Sequence, residues 1–182
     1  MCRRFSEPTA LGVAAPRGPV VMISRFLLAV SLIFFGLQGT ALAVGDDIKL
    51  YQTKGAYGDV RQNLEDAIID KGLVIDLKGE IGKMLERTGA SLGKTDKVYT
   101  NAEFFTFCSA KLSRKMVEAD PHNIGYCPYI VFVYELTSEP GTVHVGYRKP
   151  LIRGSQASKA ALLSIDEFLD EVVQEAIEQP SN

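Results

Sequence analysis

Tryptophan is absent from these 182 residues, histidine occurs twice, and cysteine three times. Such scarcity excludes several chemistries. With only His122 and His144, and no ligand-spaced motif around them, a histidine-based metal centre has no support. Thiolates would favour Cu(I) or Zn, but the spacing offers nothing further, so no metal or cofactor is expected. No Cys-X-X-Cys-His occurs, which removes covalent haem attachment. Glycine is frequent, yet it never falls as G-x-G-x-x-G after a strand or as G-x-x-x-x-G-K-[ST]. Gly79-Glu80-Ile81-Gly82-Lys83 falls short of both, so nucleotide binding is not supported. No complete catalytic motif, internal repeat or low-complexity tract is present, and an enzymatic activity is left open. Basic side chains do not exceed acidic ones, 20 against 22. That balance argues against nucleic acid, where a basic footprint is expected, and against simple attraction to an anionic membrane surface.

One long apolar run does exist. Phe26 to Leu37 is 12 residues, short of the roughly 20 that span a bilayer. Met22-Ile23-Ser24-Arg25 precedes it with one positive charge, and Gln38-Gly39-Thr40-Ala41-Leu42-Ala43 follows. Ala41 and Ala43 fit the small-residue site of a signal peptidase. Residues 1–43 therefore read as a cleavable leader, with Met22 as the expected true start. The working protein begins near Val44 and is expected in the periplasm. An uncleaved anchor would need a longer run, and no Cys near the site supports a lipoprotein. Removing the leader takes away Arg3, Arg4, Arg17, Arg25 and Glu7. What remains is 139 residues, with 16 basic and 21 acidic side chains and a net charge of −5. That is enough chain for one domain with one core.

The pattern along 44–154 alternates strands with helices. Ile48 to Tyr51 reads as a first strand. Val60, Leu64, Ala67 and Ile68 recur at helical spacing, with Asp59 early and Gly72 as the stop. Leu73 to Leu77 is a second strand, and Ile81, Met84 and Leu85 suggest a short helix ending near Gly89. Val98 to Cys108 is strand, Ala110 to Ala119 helix, and Pro121 closes it. Tyr129 to Leu136 is the clearest strand. Ser138-Glu139-Pro140-Gly141 is a turn, and Thr142 to Arg148 returns as a hairpin. Residues 155–182 hold a C-terminal amphipathic helix with Leu162, Ile165, Leu169, Val172, Val173 and Ile177 as its stripe. The hairpin excludes an all-parallel sheet. The expected fold is α+β, a two-layer sandwich with a mainly antiparallel sheet and helices packed on one face.

The hairpin predicts a register. Pairing Leu136 with Val143 puts Tyr134 and Phe132 beside Val145 and Tyr147 on a core face. Val131, Val133 and Glu135 then join His144, Gly146 and Arg148 on the other, with Glu135 opposite His144. A one-residue slip is disfavoured because it would bury polar groups.

These features carry a resemblance. Tyr57 to Pro150 resembles the family called domain of unknown function 302. The matching points are the helix closed by Gly72, the strand ending in Cys108, and Ala119-Asp120-Pro121. Pro128 then leads into Val133-Tyr134-Glu135, and Tyr147-Arg148-Lys149-Pro150 closes the match. Many members carry Cys-Asn-Pro where this chain has Cys108-Ser109-Ala110, and a second Cys where it has Tyr129. Here the second thiol is Cys127, two residues earlier, which in a strand returns to the same face. The resemblance implies a compact α+β domain, often a dimer, without an established reaction.

Three candidate sites follow. Cys108 and Cys127 end one strand and start the next. If those strands run antiparallel, the thiols meet within the Cα separation of about 4.4–6.8 Å that a disulfide requires. An even cysteine count in an exported chain makes a structural disulfide the first reading. The alternative is a redox or sulfur-handling pair, which here lacks the Cys-X-X-Cys spacing that lowers a thiolate pKa. Glu135 with His144, and Arg148 beside them, form a polar site on the sheet face; a carboxylate-held His suits general-base chemistry or a metal second shell. His122 reads as a surface loop residue. Phe104, Phe105, Phe107, Tyr126 and Tyr129 read first as core and sheet formers. The expectation is an exported domain, homodimeric, that binds a small ligand or partner protein. The alternative is a thiol redox, sulfur-handling or metal-binding accessory protein using the two cysteines.

Overall fold

The computed structural model describes residues 42–43, 45 and 47–178. Most of the expected leader, and Val44 after it, lie outside the described residues. Among the described residues the sheet has six strands: β1 (Leu42–Ala43), β2 (Ile48–Lys54), β3 (Ile75–Gly79), β4 (Tyr99–Phe107), β5 (Tyr129–Leu136) and β6 (Thr142–Arg148). Their order is β1-β2-β6-β5-β4-β3, and every neighbouring pair is antiparallel. The two residues of β1 belong to the segment read as leader; cleavage after Ala43 would leave β2 as the sheet edge.

Four α-helices accompany it among the described residues: α1 (Tyr57–Asp70), α2 (Ile81–Gly89), α3 (Ala110–Ala119) and α4 (Gln156–Glu178). Local chemistry sets their ends. Gly72 closes α1 at φ 73°, donating its N–H to the Ile69 carbonyl, a backbone geometry that favours glycine. Ser109 caps α3 by accepting the Leu112 N–H. Asp120 then accepts the His122 N–H at 2.9 Å and starts the short 3-10 turn Pro121–Tyr126.

The core lies between one sheet face and α1, α3 and α4. Val131 and Val133 of β5, Val143, Val145 and Tyr147 of β6, and Phe105 and Phe107 of β4 are all fully buried there. Leu64 and Ile68 of α1, Met116 of α3, and Leu162, Ile165, Leu169, Val172 and Val173 of α4 meet them. Each such side chain contributes about 1.5–3 kcal/mol on burial. The C-terminal helix is thus part of the same core. Two tyrosines pin it further: Tyr51 donates to Asp170 at 2.7 Å, and Tyr147 to Asp166 at 3.1 Å. The helix α2 departs from this layer. It rests on β4 from the opposite side, where Gly82, lacking a side chain, comes close to the Ala102 amide.

The hairpin register differs from the expectation by one residue. Glu135 pairs with Val143, Tyr134 with His144, Val133 with Val145, Phe132 with Gly146 and Val131 with Tyr147. Strand β6 keeps its expected faces; β5 is turned over. The cause is that β5 is apolar on both faces, so burying either set is tolerable. The compact β-branched Val131 and Val133 fill the space under the helices, and the rings of Phe132 and Tyr134 go outward. Of the charged side chains, only Glu135 moves toward the core side. It sits at the strand end, where its carboxylate accepts the Gly141 N–H at 2.7 Å.

Candidate functional site

Turning β5 over gives the second sheet face a different character. Leu50, Gly146, Phe132 and Phe104 stand side by side across β2, β6, β5 and β4. The row beside them is Gln52, His144, Tyr134 and Ala102. On the other flank, Ile48 pairs with Arg148. With Ile130, and with Ile81 of α2 and Tyr99 as walls, these residues line a groove of about 420 Å³. Glycine shapes its floor. A Cβ at Gly146 would lie 2.3 Å from the Lys49 carbonyl and 2.8 Å from the Phe132 ring. The Phe104 ring lies over Gly79 in the same way. Both rings occupy space that a Cβ at these glycines would take, which keeps the groove floor apolar.

The polar site expected from Glu135, His144 and Arg148 does not assemble. Glu135 faces Val143, not His144. His144 is 3 % exposed and stacks on Tyr134, with ring centroids 4.6 Å apart and planes within 3°. Both of its nitrogens are occupied: Nδ1 lies 3.4 Å from the Gln52 amide, and Nε2 3.2 Å from the Glu139 carboxylate. The carboxylate partner exists, but it comes from the turn. A histidine so enclosed presents no free nitrogen to a substrate. Arg148 is exposed and lines the groove instead. His122 is exposed in its turn. Phe105, Phe107 and Tyr129 are core, and Tyr126 donates to the Leu151 carbonyl. Among the described residues, no group of three or more His, Cys, Asp or Glu side chains is placed to hold a metal.

Cys108 and Cys127 do come together. They are bonded at an S–S distance of 2.12 Å with Cα atoms 6.4 Å apart. The antiparallel pairing of Phe107 with Tyr129 brings the two strand ends together. Sequence reading missed Ser113 of α3. Its hydroxyl lies 3.5 Å from the Cys127 sulfur and 3.0 Å from the Tyr129 hydroxyl. Burial raises the Tyr129 pKa, against the opposing effect of Ser113.

A family model described as "Domain of unknown function DUF302" matches residues 50–179. The chain belongs to the DUF302 family. A crystal structure titled as an uncharacterized conserved protein DUF302 from Bacillus stearothermophilus is similar, with a TM-score of 0.59 and 15% identity. The likeness covers 72% of this chain and 99% of that one, and it carries the fold alone. No curated protein matches the chain. The DUF302 match takes in most of β2 and all of α4, both outside the span that carried the resemblance in the sequence.

A charged cluster lies on the helix face of this DUF302 domain, behind the groove. Glu103 accepts from the Tyr57 hydroxyl and from Arg61 Nε, both at 3.2 Å. Burial, then the Glu103 charge, raises the Tyr57 pKa well above its ordinary value. Arg61 also reaches Glu65 at 2.5 Å, and Lys78 pairs with Glu65 from β3. The Lys78 hydrogen bond, outweighing burial with help from Arg61, lowers the Glu65 pKa below 4.5. A depressed carboxyl stabilises the fold above its unfolded value and loses that contribution as pH falls through its folded value. The urea midpoint should therefore drop between about pH 5 and pH 2. Lys78→Met is expected to reduce this drop, and an unchanged acid profile would show that the pair contributes nothing.

Proposed function

We propose that this DUF302 domain is an exported, periplasmic binding domain that takes a small, largely apolar ligand on the outer sheet face. The Cys108–Cys127 disulfide is its structural staple. The observation that carries this reading is the groove over Leu50, Phe132 and Phe104. At about 420 Å³, it falls in the range of roughly 300–1,000 Å³ usual for small-molecule sites. The enclosed His144 argues for binding over catalysis.

The test is titration with the neutral apolar fluorophore N-phenyl-1-naphthylamine. Saturable binding at one probe per chain is expected, weakened at least about tenfold by Phe132→Asp. A linear, unsaturable rise would remove the reading. A second copy of the chain is the competing occupant of this face. Sedimentation at micromolar concentration would then give a dimer that Phe132→Asp disperses.

One observation favours the thiol reading as a second possibility. Ser113 beside the Cys127 sulfur can donate to a thiolate released there. A reactive pair predicts a reduction potential above about −300 mV, whereas a staple predicts one below it.

A further inference from the structure

Charge in the groove is unevenly compensated, and this narrows the ligand. Among the described residues that line it, Arg148 is the one basic residue, and Glu103, the one acid, stands opposite Val133 and turns its side chain to the helix face. Glu103 has both carboxylate oxygens engaged, one by the Tyr57 hydroxyl and the other by Arg61. Its charge is neutralised from behind. Arg148 has no such partner: among the described residues, no carboxylate forms an ion pair with it, and no side-chain hydrogen bond satisfies its guanidinium. Lys49, Arg61, Lys71 and Lys78, by contrast, are all paired. Arg148 stands beside Ile48 in the pairing of β2 with β6. A guanidinium offers five N–H donors in a planar fork that suits a carboxylate.

Resting on the binding reading above, we infer that the ligand is an amphipathic anion, an apolar tail carrying one carboxylate, with Arg148 as its anchor. The tail lies over Leu50 and Phe132, where Gly146 presents no side chain. The carboxylate meets Arg148 at the end of β6. A cationic ligand finds no uncompensated acid in the lining. The acidic balance of the domain works against anions only at long range, since charges beyond about 8 Å are largely screened at physiological salt. His144 takes no part, because both of its ring nitrogens are engaged within the fold.

The experiment is displacement of bound N-phenyl-1-naphthylamine by octanoate, 1-octanol and octyltrimethylammonium, which share one tail. Octanoate is expected to displace at about tenfold lower concentration than the cation, the size of one charge-assisted contact. Arg148→Gln should erase that gap while leaving 1-octanol unchanged. The exposed position of Arg148 at a strand end makes this variant compatible with folding, and unchanged 1-octanol potency verifies it. Equal potency of the three ligands in the wild-type protein would overturn the anion inference while leaving the groove as a binding site. So would a preference that survives Arg148→Gln. Failure of the fluorophore itself to bind would overturn both.

Discussion

Val133→Asp is expected to leave no folded protein, while Phe132→Asp, one residue away, folds and loses the groove. Val133 is fully buried opposite Val145, beneath the helices. A carboxylate there is cut off from water and stands opposite Glu103, whose partner Arg61 is already shared with Glu65. An unpaired buried charge costs several kcal/mol, against a total stability of about 5–15 kcal/mol for an ordinary domain. Phe132 is only half-buried, and a carboxylate in its place reaches solvent. The cost there is the lost contact with Gly146 and Phe104. Soluble yield and the far-ultraviolet circular dichroism melt of both variants read the difference. The reverse outcome, Val133→Asp folded and Phe132→Asp not, would put β5 in the register that the alternation first suggested. It would also move the apolar groove to the other set of side chains.

That contrast marks where the sequence was informative and where it was not. Helices α1, α3 and α4 were legible from their 3.6-residue stripes, and β6 from its alternation of Val143, Val145 and Tyr147 with His144, Gly146 and Arg148. The β5 run Tyr-Ile-Val-Phe-Val-Tyr has no polar face. Alternation therefore carries no information about which side faces the helices. The decision passes to volume under α1 and α4 and to the parity of the turn, neither of which a single strand reveals. The cysteine pairing was legible because antiparallel order alone brings the strand ends together. Ser113 beside Cys127 was not, because it depends on how α3 crosses β5. Glu139 reaches His144 from a turn that reads only as a chain reversal. The wall given by Ile81 depends on α2 crossing to the second face. That crossing turns on the close approach of Gly82 to Ala102, a three-dimensional fact with no periodic signal.

The double variant Cys108→Ser, Cys127→Ser is expected to lose about 3 kcal/mol of stability, as chain-entropy estimates give for a closed loop of this size. The bond joins residues 19 apart in sequence and encloses α3. Without it, the unfolded chain gains freedom, while the folded one keeps the Phe107–Tyr129 pairing and the Ser113–Tyr129 hydrogen bond. Neither cysteine lines the groove, so saturable N-phenyl-1-naphthylamine binding should survive in full. Urea unfolding with an unchanged slope, together with the binding titration, separates the roles. A lower midpoint with intact binding fits a staple. An unchanged midpoint would mean that the bond constrains nothing the fold does not already hold, and the cysteines would then belong to chemistry. In that case the Ser113 hydroxyl beside Cys127 becomes the feature to remove next. Ser113→Ala in the otherwise intact chain should slow exchange with a small thiol only if that hydroxyl stabilises the departing thiolate.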